Sequence, residues 1–274
     1  MKRTFHCMAN AGATLPQPTE MAGNESRFLL VSSLILWTLI APRAAEATSI
    51  VALIDKANHR VVIATACRVN RPHGSMSACK VIEEPGCLVA IAGLYREPAT
   101  AFNLRYLADT ACQFPGDLRE KAERFLQLSR RPYETAVRHI RETDPSYFEK
   151  MIVNRPTEVV FSGLLTGRLT LLVRGLISDG RGGTTAERYE SSDTANSPIG
   201  YFIGLNGHAR ERTKSSGQWE RLGYIAAARE FVEMEIRANP DLAGAPISDV
   251  EIDERGEVHW ILKGACHTQE QGAD

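Results

Sequence analysis

Little in this chain is in excess. Its 32 lysines and arginines stand against 33 aspartates and glutamates, a formal net charge of −1. The basic residues are scattered among acidic ones and form no stripe, which excludes the footprint of a nucleic-acid-binding surface. No apolar run reaches the about 20 residues of a membrane-spanning helix. No internal repeat or long linker is present. The histidines show no metal-ligand spacing, and the glycine-rich "SDGRGGT" (178–184) lacks the lysine arrangement of a phosphate loop. It reads as a hairpin turn, and neither a cofactor nor a metal is expected. Asp249, Glu251 and Asp253 alternate along one strand and read as a solvated face.

What is present begins with an address. Phe28 to Ala41, "FLLVSSLILWTLIA", is an apolar run of 14 residues without a charge, the length of a signal-peptide core. Pro42 ends it, and Ala45 and Ala47 form an Ala-x-Ala cleavage site, so cutting is expected after Ala47. Met21 is a second candidate start, with Arg27 as its basic flank. Residues 1–47 are accordingly read as a signal peptide, 48–265 as a folded domain and 266–274 as a C-terminal tail. The expected location is periplasmic or secreted, with no membrane contact once the leader is gone; an uncleaved anchor is the alternative. Removal of the leader leaves Cys67, Cys79, Cys87, Cys112 and Cys266, an odd number. One or two disulfides suit an oxidising compartment, and at least three of the five read as small buried hydrophobes.

From residue 48 the pattern is that of strands. "TSIVALI" (48–54) and "RVVIATACR" (60–68) flank a polar turn, and "CKVIEE" (79–84) and "CLVAIAG" (87–93) flank "PG"; both read as hairpins. Helices are expected over 98–114, over "DLREKAERFLQLS" and over "PYETAVRHIRET", the last with proline in its first turn. Strands return at 157–167, 168–180 and 198–207. A polar stretch, "HARERTKSSGQ", leads to a helix from about Trp219 to Arg237, and "ISDVEIDE" and "EVHWILKG" close the chain as a hairpin. Runs of strands alternating with runs of helices argue α+β with antiparallel sheets, not parallel βαβ units.

Cleavage after Ala47 makes Thr48 the first residue. A threonine hydroxyl is a weak nucleophile without an adjacent base, and a free α-amino group, with a pKa of about 7.7–8.0, can be that base. Thr48 at a strand start, a hairpin, Lys80 opening the third strand, and a strand ending in Ala92-Gly93 together resemble the proteasome-type β subunits. These are N-terminal nucleophile (Ntn) hydrolases. The resemblance rests on "TSIVAL", "VVIATACR", "CKVIEE" and "VAIAG", continues through "IGLNG" and "NPDLAGAPISDVEI", and spans most of 48–263.

The resemblance implies a four-layer αββα sandwich of antiparallel sheets and an acyl-enzyme route to amide or peptide cleavage. Thr48 takes the nucleophile's place, Lys80 that of the lysine whose charge supports it, and Gly93 that of the oxyanion donor. It also implies a peptide or small amide substrate and a homo-oligomer. Arg68 matches the arginine that follows the family's acid. That acid falls on Ala66, Cys67 stands for a serine, the serine of Gly-Ser-Gly falls on Leu205 or Asn206, and the later Asp and Ser fall near Asn239 and Leu242. A catalytically inactive binding or assembly domain is therefore the other reading.

Overall fold

Consecutive apolar and β-branched residues mark a strand buried on both faces, and "SIVALID" is one. In the computed structural model it forms β1 (Ser49–Asp55), buried along its whole length. The structure describes residues 48–71, 74–153, 156–194, 199–214 and 222–267, all within the unit Pro42–Asp274. The leader, its cleavage site and Met21 lie outside the described residues.

The described residues form fourteen strands, β1 included. They are β1, β2 (Arg60–Ala66), β3 (Arg68–Arg71), β4 (Gly74–Ser77), β5 (Val81–Glu84), β6 (Cys87–Ala92), β7 (Arg96–Glu97) and β8 (Phe102–Asn103). The second half contributes β9 (Thr157–Leu165), β10 (Arg168–Ser178), β11 (Thr184–Ser192), β12 (Gly200–Gly204), β13 (Ile247–Ile252) and β14 (Val258–Leu262). Two five-stranded sheets carry the fold, one ordered β12-β1-β2-β13-β14 and the other β11-β10-β9-β6-β5. Every pairing between their strands is antiparallel. The class is α+β, as the order of elements predicts.

The period-two alternation of strands divides the apolar residues into three clusters. Ile50, Ala52, Ile54, Val61 and Ile63 of the first sheet pack with Leu88, Ala90, Val160, Leu171 and Val173 of the second. Val51, Leu53, Val62 and Ala64, on the opposite face of the first sheet, pack with Ala228, Phe231 and Val232. Val89, Ile91, Val159 and Phe161, on the opposite face of the second, pack with Phe125, Tyr133 and Ile140.

The helices supplying those residues differ in detail from the sequence reading. The helix expected over 98–114 is α1 (Leu104–Cys112), capped by Asn103, whose side chain accepts from the Tyr106 N–H. The two helices expected around Pro132 are one, α2 (Leu118–Thr143). Proline removes one N–H and kinks a helix, but the apolar stripe Phe125, Tyr133, Ala136, Ile140 runs unbroken through it, and the tertiary contacts prevail. A capping box of Asp117 and Glu120 sets its start. A short turn, α3 (Pro145–Tyr147), precedes a π-helical turn at Phe148–Ile152. The polar stretch after Asn206 opens with α4 (Gly207–Lys214), and α5 (Tyr224–Ala238) replaces the helix expected from Trp219, which itself lies outside the described residues. β11 went unanticipated because "TTAERYESS" is an edge strand with a mostly polar pattern. Among the described residues no helix is long and apolar enough to cross a membrane.

Two further expectations are corrected. Four of the five cysteines are paired, Cys79 with Cys266 and Cys87 with Cys112, leaving Cys67 buried as a thiol. Partners 187 residues apart in sequence could not be matched from spacing. Asp249 is fully buried, not solvated, because the Arg229 guanidinium on α5 neutralises it. Glu251 pairs with Arg60, and Asp253 accepts from the N–H groups of Arg255 and Glu257 in the hairpin turn.

Candidate active site

Thr48 immediately precedes β1 and is 1% exposed. Its place is fixed by β12. Ser49 pairs with Gly204, and the Leu205 N–H donates to the Thr48 carbonyl at 2.8 Å. Gly204 has φ +71°, and a Cβ there would collide with that carbonyl oxygen. Only glycine gives both the left-handed conformation and the close approach.

Thr48 lines a cavity of about 240 Å³ with Gly93, Leu94, Tyr147, Ile152, Leu205 and Asn206 among its walls. The Thr48 hydroxyl is buried and has no hydrogen-bond partner among the described residues. An interior hydroxyl in that state costs about 1–3 kcal/mol.

Gly93 follows β6 with φ +96°, and a Cβ on it would lie 2.6 Å from Thr157 Cα. The next residue's N–H, that of Leu94, is taken by Thr157 Oγ1 at 3.0 Å. Thr157 therefore fixes the backbone that turns along the cavity wall beside Thr48.

The structure thus brings Thr48 and Gly93 to one cavity, together with Leu205 and Asn206, the positions matched to the Gly-Ser-Gly serine. Lys80 is 1% exposed and lies just before β5, its carbonyl accepting from the Ile91 N–H. Its ammonium sits 4.1 Å from the centre of the Tyr95 ring, a cation–π contact in a desolvated setting. Lys80 is not among the residues lining the cavity.

Ala66 faces Ile247 in register and belongs to the apolar cluster under α5. Cys67 is beside it, with Sγ 3.1 Å from Ser248 Oγ. Arg68 donates to the Pro240 carbonyl at 3.0 Å. Asn239 ends α5 and donates to the Glu235 carboxylate at 3.2 Å; neither it nor Leu242 lines the cavity.

One charged residue near the site escaped sequence reasoning. Glu158 on β9 is 6% exposed and accepts from the Gly204 N–H at 3.2 Å. Burial pushes its carboxyl up to about 7, helped by nearby Glu187 and opposed by the Gly204 N–H and Arg210. The signal was available in the sequence: Glu158 is in phase with Val160, which faces the other sheet, so the alternation turns a carboxylate inward.

No protein-family model matches the chain, and no curated protein matches it. Among solved structures the chain is similar to Thiobacillus denitrificans BPH, in a complex with epoxomicin. The two are 14% identical, the match covers 75% of this chain and 98% of that chain, and the TM-score is 0.38.

Proposed function

We propose that this chain is an exported N-terminal threonine hydrolase of the Ntn type, built as a four-layer αββα sandwich, that cleaves amide or peptide bonds. The observation that carries the reading is the cavity that Thr48 and Gly93 share, together with a Thr48 hydroxyl that is buried and without a partner among the described residues. The three apolar clusters support the layer order helix, sheet, sheet, helix. The two disulfides suit a periplasmic or secreted location.

In this reading, cleavage after Ala47 frees the Thr48 amine, which takes the hydroxyl proton. Thr48 Oγ1 then attacks the scissile carbonyl carbon while the Gly93 N–H stabilises the developing oxyanion. The amine returns the proton to the leaving nitrogen as the C–N bond breaks, and water hydrolyses the ester. The positive charge of Lys80 supports the site. Leu94, Tyr147, Met151, Ile152 and Leu205 give the cavity an apolar wall, which suits an uncharged side chain on the acyl part of the substrate.

N-terminal sequencing of the exported protein should begin at Thr48. Treatment with an epoxyketone or β-lactone should add one probe mass to wild type and none to Thr48→Ala. A different first residue, or no adduct on the correctly processed chain, overturns the proposal. Ala66, embedded among apolar side chains where the family has its acid, favours a second reading, a catalytically inactive binding or assembly domain. That reading predicts correct processing, no adduct, and a Thr48→Ala protein indistinguishable from wild type on peptide amides. The homo-oligomer that the family resemblance implies is tested separately by the mass of the processed protein in solution.

A further inference from the structure

Two sheets meet at the cavity, and one side chain of the second sheet reaches the strand end that holds the first residue of β1's lead-in. Glu158 lies between Ala92 of β6 and Gly175 of β10 in register. Gly175 lies against it and against Glu187: a Cβ there would be in ordinary contact, 3.6 Å from Glu158 Cγ and 3.5 Å from Glu187 Cβ. The carboxylate extends across to β12 and takes the Gly204 N–H at 3.2 Å. Gly204 abuts the Thr48 carbonyl, and its neighbour Leu205 donates to that same carbonyl. The chain of contacts from Glu158 to Thr48 therefore passes through two consecutive backbone amides.

We propose that Glu158 is the positioning residue of the Thr48 site: its carboxylate anchors Gly204, and the Gly204–Leu205 clasp sets where Thr48 sits in the cavity. The proposal rests on the reading of Thr48 as the nucleophile. An ionised carboxylate is the stronger acceptor for an N–H, so the clasp is tightest when Glu158 carries its charge. Three groups bear on that charge. Glu187 of β11 opposes it, Arg210 of α4 favours it, and Tyr189 of β11 is near enough to be influenced by it. The residues facing it from β6 and β10, Ala92 and Gly175, are uncharged. With the carboxyl pushed up to about 7, the clasp tightens as pH rises through neutrality.

The test measures two things on the processed chain between pH 6 and pH 8, the backbone amide resonances of Gly204 and Leu205 and the rate of β-lactone trapping at Thr48. In wild type both amides should titrate with a shared midpoint near 7, and in Glu158→Gln neither should. The ratio of trapping rates at pH 8 and pH 6 should be about tenfold larger in wild type than in Glu158→Gln, because a second ionisation is required on top of the amine's. Glu187→Gln, which keeps Glu158 in place, should move the amide midpoint down, and Arg210→Met should move it up.

Amides of Gly204 and Leu205 that do not titrate in wild type overturn the proposal. So does an unchanged rate ratio in Glu158→Gln. Titrating amides without any adduct uphold the clasp while sinking the reading of Thr48 as nucleophile, so the two failures are separable.

Discussion

At the scale of single residues, the site depends on glycines and on one inward carboxylate. Gly93 combines φ +96° with a close approach to Thr157. Gly93→Ala forces a strained backbone and a collision with main-chain atoms, and should cost about 2 kcal/mol or more in denaturant melts. Trapping at Thr48 should fall with it, since Gly93 lines the same cavity. Glu158 has the opposite character, because its cost depends on pH. Its folded pKa is raised by burial to about 7 from an ordinary 4.5, so the native state holds a proton that the unfolded chain has released. The stabilisation is complete below the unfolded value and is lost as pH rises through the folded one. Relative to Glu158→Gln, wild type should therefore lose stability between pH 5 and pH 8, by roughly 3 kcal/mol; a flat difference across that range would count against a proton held in the native state. The pH at which the clasp is tightest is thus also the pH at which this residue burdens the fold most.

At the scale of elements, α5 is latched to β13 by the ion pair of Arg229 with the buried Asp249. The burial raises the Asp249 carboxyl while Arg229 lowers it. Arg229→Met leaves that carboxylate without its cation, and should destabilise the protein by roughly 2–3 kcal/mol in urea melts, the half-exposed arginine giving less than a wholly buried pair. Asp249→Asn in the same background should recover part of the loss.

Elements with strong local patterning were legible in the sequence: both early hairpins, the strands from 157, and the closing hairpin. The misreadings share a physical cause, because each was decided by contacts outside its own segment. Pro132 signals a helix break locally, yet Phe125 and Tyr133 on either side of it pack into one cluster. The polar "TTAERYESS" pairs along β10 because β10 offers a free edge. Order along the chain pointed to Thr48 and Gly93, which line one cavity, and to Lys80, which does not line it. The alternation of β9 marks Glu158 as inward-facing, but its partner, the Gly204 N–H, comes from β12, distant in sequence.

At the scale of the whole molecule, the two disulfides close very different loops, 187 and 25 residues in sequence separation. Constraint of the unfolded chain grows with loop length. Loss of the Cys79–Cys266 bridge through paired serine substitutions should lower stability by about 3–5 kcal/mol, and loss of Cys87–Cys112 by less. Equal effects of the two pairs would show that native contacts, not chain entropy, decide their worth.

The long bridge also orders events in time. Cys79 is adjacent to Lys80, and Cys266 leaves the ribosome 187 residues after it. β2 likewise receives its neighbour β13 only from a segment made long after it. The first sheet thus cannot be completed, nor the segment next to Lys80 tethered, until β13 and Cys266 have been made. A product ending before Cys266 would lack the bridge that fastens Cys79 beside Lys80. The wiring of the chain makes the surroundings of Lys80 depend on a residue 187 positions further on.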